Sequence, residues 1–489
     1  LEASTLSFSG AVQANNHDLT LKADTFVFGG AASIQGSPGF GGTQTLTIAT
    51  QTASRTIGLS GGAGDLQLPL DQVQDFDRLV VGDSSGTGQI TVGLSGGGAN
   101  IDFGDVTITS GTGNIVIDAA MGSDMFPLSN LTLSTGGITR VNGVEIYADN
   151  LVFNGAVVLG QNLDSLSYTT TVRGNQLVFN GSVDGDVAGA AVLDTMDVNL
   201  TRFEGAVGST QSLQEILTND VELGSSITAS SLIQFSGNVS LFDDTSLTAP
   251  TINLGGGAST LNASDVNGDY SLALRSDTLN TLLGPINGGN ELTLAPLDNA
   301  RAIVVGNGLG LGQLVIDSAT LARFSGFQQI TVGSATLGTG DITIGDGFFT
   351  DLVLPTSLRA QSLSGDITVS QAISGNHNLS LSTSGQIRIE RDLGGTSGLT
   401  ALSSLSVEGN ATLALSGNQT LRTSGSQTYT GAVNLGSNAN LIGASVRLQG
   451  SVDGASSLAI TTTGNTRLDG EVGGSTRLTQ LSINAASID

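Results

Sequence analysis

Three oxygen-bearing side chains at alternate positions are the arrangement in this sequence closest to a metal site. Asp265, Asn267 and Asp269 have the spacing with which a calcium-binding loop begins. Such a loop needs glycine at its sixth position and glutamate at its twelfth, where this chain has Tyr270 and Ser276. A plain turn is therefore the favoured interpretation and calcium binding is the alternative. We predict no other metal and no cofactor.

The residues that a catalytic site would use are few. Asp243-Asp244 is the only adjacent aspartate pair, and His17 and His377 are the only histidines. Polysaccharide hydrolases with a parallel β-helix resemble one another in Asn-Thr-Asp, Asp-Asp, Gly-His-Gly and Arg-x-Lys elements, of which only Asp-Asp occurs here. Both histidines stand in polar turn sequences, and the spacing of a Ser/His/Asp triad or a zinc site is missing. We predict that Asp243-Asp244 forms a turn, that no residue is catalytic and that the protein is not an enzyme.

The composition excludes further classes. The 489 residues include 70 glycines, no cysteine and no tryptophan, and 42 acidic residues against 16 basic ones give a net charge of -26. Without cysteine there is no disulfide scaffold and no thiolate metal site. The acidic balance argues against nucleic-acid binding, because phosphates are neutralised by lysine and arginine. No apolar run approaches the roughly 18 residues of a membrane span, so no membrane insertion of this segment is expected.

Short alternating segments recur between the glycines. In Val106-Thr107-Ile108 and similar segments apolar residues alternate with threonine or serine, which predicts half-buried strands of about 3–6 residues. Ile115-Val116-Ile117 is apolar throughout and predicts a strand covered on both faces. Ser212 to Leu217 is the best helix candidate. The sequence therefore predicts an all-β fold.

A five-residue motif repeats along the chain: an aromatic residue or leucine, any residue, glycine, any residue, valine. Within two clusters, adjacent motifs recur at intervals of roughly 20–30 residues. This spacing predicts a parallel β-solenoid (parallel β-helix) with about 20–26 residues per coil. A string of antiparallel β-sandwiches is the second choice. The motif residues that would anchor the repeat are Phe8, Phe153, Phe179, Phe203, Phe235, Tyr429, Leu448 and Leu468.

A longer repeat lies above the short one. The order FNGAV, FNGSVDG, FEGAVG from Phe153 to Phe203 returns as YTGAV, LQGSVDG, LDGEVGG from Tyr429 to Leu468. Equivalent points lie about 250 residues apart, which predicts two super-repeats, residues 1–234 and 235–489, in one continuous rod. Two inserts at equivalent places, Pro69–Arg78 and Ser318–Gly326, are either lips for a partner or segments packed on the outer face.

The phase of the repeat also suggests how the chain is used. The first motif of a further copy after residue 489 would fall in phase with the internal offsets. We therefore expect either a segment of a longer repetitive protein or a chain that stacks end to end with itself. The alternative is a processed mature chain with capped ends.

The FNGAV, LQGSVDG and LDGEVGG units, joined by strands rich in Thr, Ser and Gly, resemble the giant repetitive secreted proteins of Gram-negative bacteria. These are filamentous-haemagglutinin-like adhesins and autotransporter passengers. The resemblance implies a right-handed β-helix, secretion, and a role in adhesion, biofilm matrix or cell-surface structure. We expect a non-catalytic extracellular shaft or filament subunit that associates with copies of itself end to end or laterally. The alternatives are an adhesin passenger that binds a ligand or cell-surface glycans and, less favoured, a polysaccharide-degrading β-helix enzyme.

Overall fold

The protein is a parallel β-solenoid of about 19 turns, with 57% of its residues in strands and 2% in helices. The all-β solenoid prediction is thus confirmed. The computed structural model describes residues 1–37, 44–93, 103–163, 165–255, 260–265, 268–282, 286–306, 313–345, 352–395, 400–413 and 418–489. The chain forms two compact units. The first unit comprises residues 1–245 and 254–259, and the second unit comprises 246–253 and 260–489. The super-repeat boundary between residues 234 and 235 stays a prediction.

The strands up to residue 248 are short at first, and the long ones lie between residues 128 and 235. They are β1 (Thr5–Phe8), β2 (Ala11–Gln13), β3 (Leu19–Lys22), β4 (Thr25–Phe28), β5 (Ser33–Gln35), β6 (Thr45–Ala49), β7 (Ile57–Leu59), β8 (Leu66–Leu68), β9 (Val73–Gln74), β10 (Arg78–Asp83), β11 (Ile90–Val92), β12 (Asp105–Ser110), β13 (Ile115–Ile117), β14 (Leu128–Asn142), β15 (Glu145–Gly160), β16 (Thr169–Phe179), β17 (Val183–Gly185), β18 (Val192–Phe203), β19 (Leu213–Leu223), β20 (Ile227–Phe235), β21 (Val239–Leu241) and β22 (Thr245–Thr248).

The strands after residue 250 are mostly short. They are β23 (Thr251–Leu254), β24 (Leu261–Asn262), β25 (Ser264–Asp265), β26 (Gly268–Asp269), β27 (Leu272–Arg275), β28 (Thr278–Leu282), β29 (Ile286–Asn287), β30 (Glu291–Ala295), β31 (Ile303–Val305), β32 (Leu314–Ile316), β33 (Phe324–Ser325), β34 (Gln329–Ser334), β35 (Ile342–Ile344), β36 (Leu352–Val353), β37 (Ser357–Ser362), β38 (Ile367–Val369), β39 (Ile373–Ser374), β40 (Asn378–Ile389), β41 (Ser404–Leu413), β42 (Gln419–Arg422), β43 (Ser426–Tyr429), β44 (Val433–Leu435), β45 (Ala439–Gly443), β46 (Ser445–Leu448), β47 (Val452–Asp453), β48 (Ser457–Thr462), β49 (Asn465–Leu468), β50 (Gln480–Asn484) and β51 (Ser487–Ile488).

Each coil pairs in parallel with the next, and alternate residues point into a narrow core. In β12 the side chains of Val106 and Ile108 are buried, whereas Thr107 and Thr109 are half-buried on the outer face. β13 follows the same pattern, since Val116 is only half-buried between two buried isoleucines. The prediction that this strand is covered on both faces is therefore wrong. The apolar Val116 lies at an outward position of a strand that has its core on one face only.

The prediction of a helix at Ser212–Leu217 is wrong, because Leu213 to Leu217 form the first part of strand β19. Glu215 and Ile216 pair in register with Val192 and Leu193 of the preceding coil. A local helix preference of a few tenths of a kcal/mol per residue is outweighed by hydrogen bonds and core packing along a whole strand.

The repeat motif is explained by three ladders that run from coil to coil. Phe153 pairs in register with Phe179, and Phe179 pairs with Phe203. The motif glycines also stack, because a Cβ built on Gly181 would lie 2.3 Å from the carbonyl oxygen of Gly155. Glycine therefore recurs in the motif because the backbones of neighbouring coils touch at this corner. The motif valines Val157, Val183 and Val207 are likewise bridged along the coils.

Some strands of the first unit are longer than the short strands that the sequence predicts. β14 has 15 residues and β15 has 16 residues. Their pairing shifts register between Ser134 and Ile138, at Gly136-Gly137. The chain thus turns a corner by a bulge without leaving the hydrogen-bonded ladder. A sequence pattern that marks every glycine as a strand end does not show this continuity.

One coil in each unit is enlarged. Leu46 is paired with Leu79 on the next coil and Leu292 with Ile330, whereas Leu133 of a shorter coil is paired with Phe153. The enlarged coils thus span roughly 30–40 residues, within the range of solenoid repeats, against about 20 for the shorter one. Each contains an extra pair of short parallel strands, β7 with β8 and β31 with β32. These longer coils are one reason why the chain makes about 19 turns rather than the roughly 22 expected from a uniform coil of about 22 residues.

The helical turns of the described chain lie in these enlarged coils, at the two predicted inserts. A 3₁₀ turn spans Leu70–Gln72, and the single-turn helix α1 spans Ser318–Leu321. The side chain of Asp317 caps α1 by accepting a hydrogen bond from the backbone N of Thr320 at 2.7 Å. Leu70 and Leu321 are both buried, so each insert packs onto its own unit.

Candidate functional site

The residues considered for catalysis lie in separate turns. His17 is exposed and His377 is half-buried, and both lie outside strands. Asp243 and Asp244 are exposed in a bend that leads into β22, so the turn predicted for them is confirmed. The absence of catalytic residues and of a cofactor stays a prediction.

The candidate calcium ligands lie at a short antiparallel hairpin. Asp265 pairs with Gly268, and Ser264 pairs with Asp269. Asn267 lies outside the described residues, and the side chain of Asp269 is exposed. Among the described residues no group of three or more His, Asp or Glu side chains could hold a metal ion. Calcium binding by Asp265, Asn267 and Asp269 stays a prediction.

The repeat anchors lie mainly in the core. Phe8, Phe153, Phe179, Phe203, Phe235, Tyr429 and Leu448 are buried, and Leu468 is half-buried. Phe153 and Phe179 stack with ring centroids 4.9 Å apart, and Phe179 and Phe203 stack at 5.2 Å. Tyr429, Leu448 and Leu468 form the equivalent ladder of the second unit.

Tyr429 introduces a buried polar cluster into this ladder. Its hydroxyl donates to Oε1 of Gln427 at 3.0 Å. Nε2 of Gln427 donates to the carbonyl oxygens of Leu421 at 2.9 Å and Ile442 at 2.8 Å. Burial raises the pKa of Tyr429 well above its usual range, because the phenolate would have to be desolvated.

Replacing Tyr429 with phenylalanine tests this cluster. At neutral pH we expect the free energy of unfolding to fall by about 1 kcal/mol, because Gln427 Oε1 loses its donor. The folded phenol keeps its proton while the unfolded one ionises near pH 10, so the wild-type protein loses stability as pH rises above about 10. The variant should lack this contribution, which amounts to up to about 1.4 kcal/mol per pH unit. Urea unfolding at neutral pH and between about pH 10 and 12 measures both effects. Wild-type and variant curves that stay parallel throughout would contradict the assignment.

The outer surface carries polar ladders that bridge neighbouring coils. Asparagine amides donate to the asparagine of the adjacent coil from Asn150 to Asn130 at 3.1 Å and from Asn180 to Asn154 at 2.6 Å. The second unit has the same contact from Asn438 to Asn418 at 3.0 Å. These contacts join side chains that the register places one above the other.

A cavity of about 190 Å³ in the second unit interrupts this regular surface. It lies beside the enlarged coil, and its wall includes two guanidinium groups, those of Arg275 and Arg301. Around them the lining combines small apolar and polar residues: Ala273, Ala295, Pro296, Leu337, Thr293, Asn299, Ser334 and Gln361. Sequence reasoning missed this site, since its two arginines stand in unrelated local patterns and neither belongs to the repeated motif.

The segment from Pro296 to Arg301 forms one lip of the cavity. Arg275 Nε donates to the carbonyl oxygen of Pro296 at 3.3 Å, and Nη2 donates to Asn299 Oδ1 at 2.5 Å. Nη1 of Arg301 forms an ion pair with Asp277 Oδ2 at 3.1 Å. Both arginines are therefore held in place by the fold.

No family model, curated protein or solved structure matches the chain. Within the described residues, no helix has the length and apolar character to span a membrane. The likeness to repetitive secreted proteins thus remains an expectation from the motifs.

Proposed function

We propose that the chain is a non-catalytic structural solenoid, serving as the shaft or filament subunit of an extracellular adhesin or matrix fibre. One observation carries this proposal: like residues stack in register from coil to coil, inside and outside. Phe153, Phe179 and Phe203 form the inner ladder, and asparagine pairs such as Asn154 with Asn180 form the outer one. A structure whose every coil is a template for the next suits a load-bearing element.

The charge distribution supports the same role. Arg78 Nε pairs with Asp105 Oδ2 of the next coil at 2.9 Å, and Arg447 Nε pairs with Asp469 Oδ2 at 2.9 Å. Cationic side chains are thus used to join coils, while the excess of carboxylates leaves a net charge of -26. We propose that this charge keeps fibres apart laterally at low salt, and that association proceeds by continuing the ladders from one chain to another.

The test is electron microscopy of the native material, combined with sedimentation of the purified chain. Linear assemblies that contain more than one chain are expected. Particles that remain single chains at all protein and salt concentrations would overturn the filament proposal. Saturable glycan binding, absent from an unrelated solenoid of equal charge, would favour the adhesin alternative. Release of reducing ends from acidic polysaccharides would show an enzyme instead.

A further inference from the structure

The enlarged coil of the second unit, which borders the cavity, is built like the enlarged coil of the first unit. Arg275 ends β27 and pairs with Ala295, as Lys22 ends β3 and pairs with Ala49. The backbone N atoms of Thr339 and Gly340 donate to the carbonyl oxygen of Asn299 at 2.7 and 3.1 Å. In the first unit, those of Thr87 and Gly88 donate to the carbonyl oxygen of Ala53 at 2.7 and 3.0 Å. The chain's only lysine, Lys22, is therefore the counterpart of Arg275, and Arg55 is the counterpart of Arg301.

Ser334 is the counterpart of Asp83 by the same criteria. Asp83 pairs with Ser110, and Ser334 pairs with Ser362. Both partner serines donate in the same way: Ser110 Oγ to the carbonyl oxygen of Gly88 at 3.1 Å, and Ser362 Oγ to that of Gly340 at 3.0 Å. The residue before each also matches, since Gly82 and Gly333 have φ values of 75° and 83°.

The difference between Asp83 and Ser334 changes the charge balance. The first unit has a carboxylate near its basic residue, and the second unit has a neutral hydroxyl at that place. In the first unit the Asp83 carboxylate accepts hydrogen bonds from Ser85, and these bonds and the charge of Lys22 lower its pKa. The basic residue there has an internal anion nearby. In the second unit Ser334 carries no charge. The Arg275 guanidinium donates hydrogen bonds to neutral oxygens, those of Pro296, Leu297 and Asn299.

The neighbouring arginine does not remove this imbalance. The charge of Arg301 is met by Asp277, with which it forms an ion pair at 3.1 Å. Its Nε is buried and has no hydrogen-bond partner among the described residues. A buried donor without an acceptor is unfavourable, so the site favours a ligand that supplies an oxygen acceptor.

We propose that the cavity beside Arg275 binds a small molecule with a carboxylate group and a compact apolar body. The carboxylate would take the place that Asp83 fills in the first unit, and Ala273, Ala295 and Leu337 would contact the apolar part. Guanidinium groups bind carboxylates with strong charge-assisted hydrogen bonds. The volume of about 190 Å³ lies below the roughly 300–1,000 Å³ of sites for drug-sized molecules, which favours a ligand of single-ring size. This function goes beyond the proposed structural role and does not depend on it.

The experiment uses the full chain with benzoate as the probe and benzyl alcohol as its neutral counterpart, each followed by ligand-observed NMR and calorimetry. Benzoate should bind saturably and at least about tenfold more tightly than benzyl alcohol, because only the carboxylate forms a charge-assisted hydrogen bond with the guanidinium. Equal binding of the two probes, or no saturable binding of benzoate, would overturn the proposal.

Two variants test whether benzoate binds in the cavity, and a third variant serves as the control. Ser334→Asp supplies the internal carboxylate of the first unit and should weaken benzoate binding at least about tenfold. Arg275→Gln removes the charge but keeps a donor, and it should have a similar effect. Arg388→Gln removes an exposed arginine of the same unit outside the cavity lining and should leave the affinity unchanged. Circular dichroism checks that each variant is folded.

Unchanged affinity of the folded Ser334→Asp or Arg275→Gln protein for benzoate would overturn the proposal. An equal loss of affinity in Arg388→Gln would do the same, because benzoate would then bind elsewhere. Polymerisation measured on the same samples tests the structural role separately.

Discussion

Replacing Phe179 with alanine should lower the free energy of unfolding of the first unit by about 3–5 kcal/mol. Phe179 is 1% exposed and lies between Phe153 and Phe203, with ring centroids at 4.9 and 5.2 Å. The substitution opens a void between two coils and removes both stacking contacts, and a narrow core has few neighbours that can move in. In a solenoid the interfaces between adjacent coils carry the stability, so a defect in the middle of a ladder weakens both interfaces at once.

Urea unfolding followed by circular dichroism measures this loss, and Phe126→Ala is the matched control. Phe126 is 53% exposed, so its truncation should change the free energy of unfolding by no more than about 0.5 kcal/mol. Phe179→Leu should cost less than Phe179→Ala, because leucine already occupies the equivalent ladder position at Leu448. Equal effects of Phe179→Ala and Phe126→Ala would show that the stack does not hold the coils together.

The sequence was sufficient to predict the repeat anchors because each of these residues is constrained by its counterpart one coil away. Phe153, Phe179 and Phe203 must share size and shape to stack, and Gly155 and Gly181 must both lack a side chain to let the backbones meet. Such constraints leave a repeated motif, and the motif gives the coil length. The fold class follows from this periodicity alone.

The strand at Ser212–Leu217 and the register shift in β14 were harder to predict, because residues distant in the sequence determine them. Ser212–Leu217 has a helical pattern, but pairing with β18 makes it a strand. The glycines of β14 are typical of a strand end, whereas a shift of register carries the ladder through them. In both cases contacts with another coil, distant in sequence, decide between conformations that the local sequence leaves open.

The missing carboxylate beside Arg275 could be recognised only by comparing the strand registers of the two units. Lys22 and Arg275, or Asp83 and Ser334, are unremarkable in their own sequence context. They acquire meaning once the register shows that they occupy the same places in two enlarged coils. An internal repeat thus supplies the comparison that relatives provide for other proteins, and a difference at an otherwise matched position indicates where the two copies have diverged in chemistry.

Replacing Gly181 with alanine is expected to destabilise the first unit by about 3 kcal/mol or more, although it adds only one methyl group. The new Cβ would lie 2.3 Å from the carbonyl oxygen of Gly155 and 2.4 Å from its carbonyl carbon. Overpacking a core with a methylene costs about 1–3 kcal/mol when side chains can yield. Here the obstacle is the backbone of a hydrogen-bonded neighbouring coil, so relief requires separating the coils at this corner.

The matched control is Gly10→Ala, which changes the glycine of the same motif after Phe8. No atom lies within 4 Å of a Cβ built on Gly10, so the added methyl group meets no neighbour. Alanine there should be neutral, or stabilising by up to about 1 kcal/mol, because it restricts the unfolded chain more than glycine does. Urea unfolding of the two variants side by side therefore separates the requirement for close backbone approach from the intrinsic preference of the motif. A similar loss in both would mean that glycine is needed for its backbone conformation, and a negligible loss in Gly181→Ala would mean that the coils are not in contact at this corner.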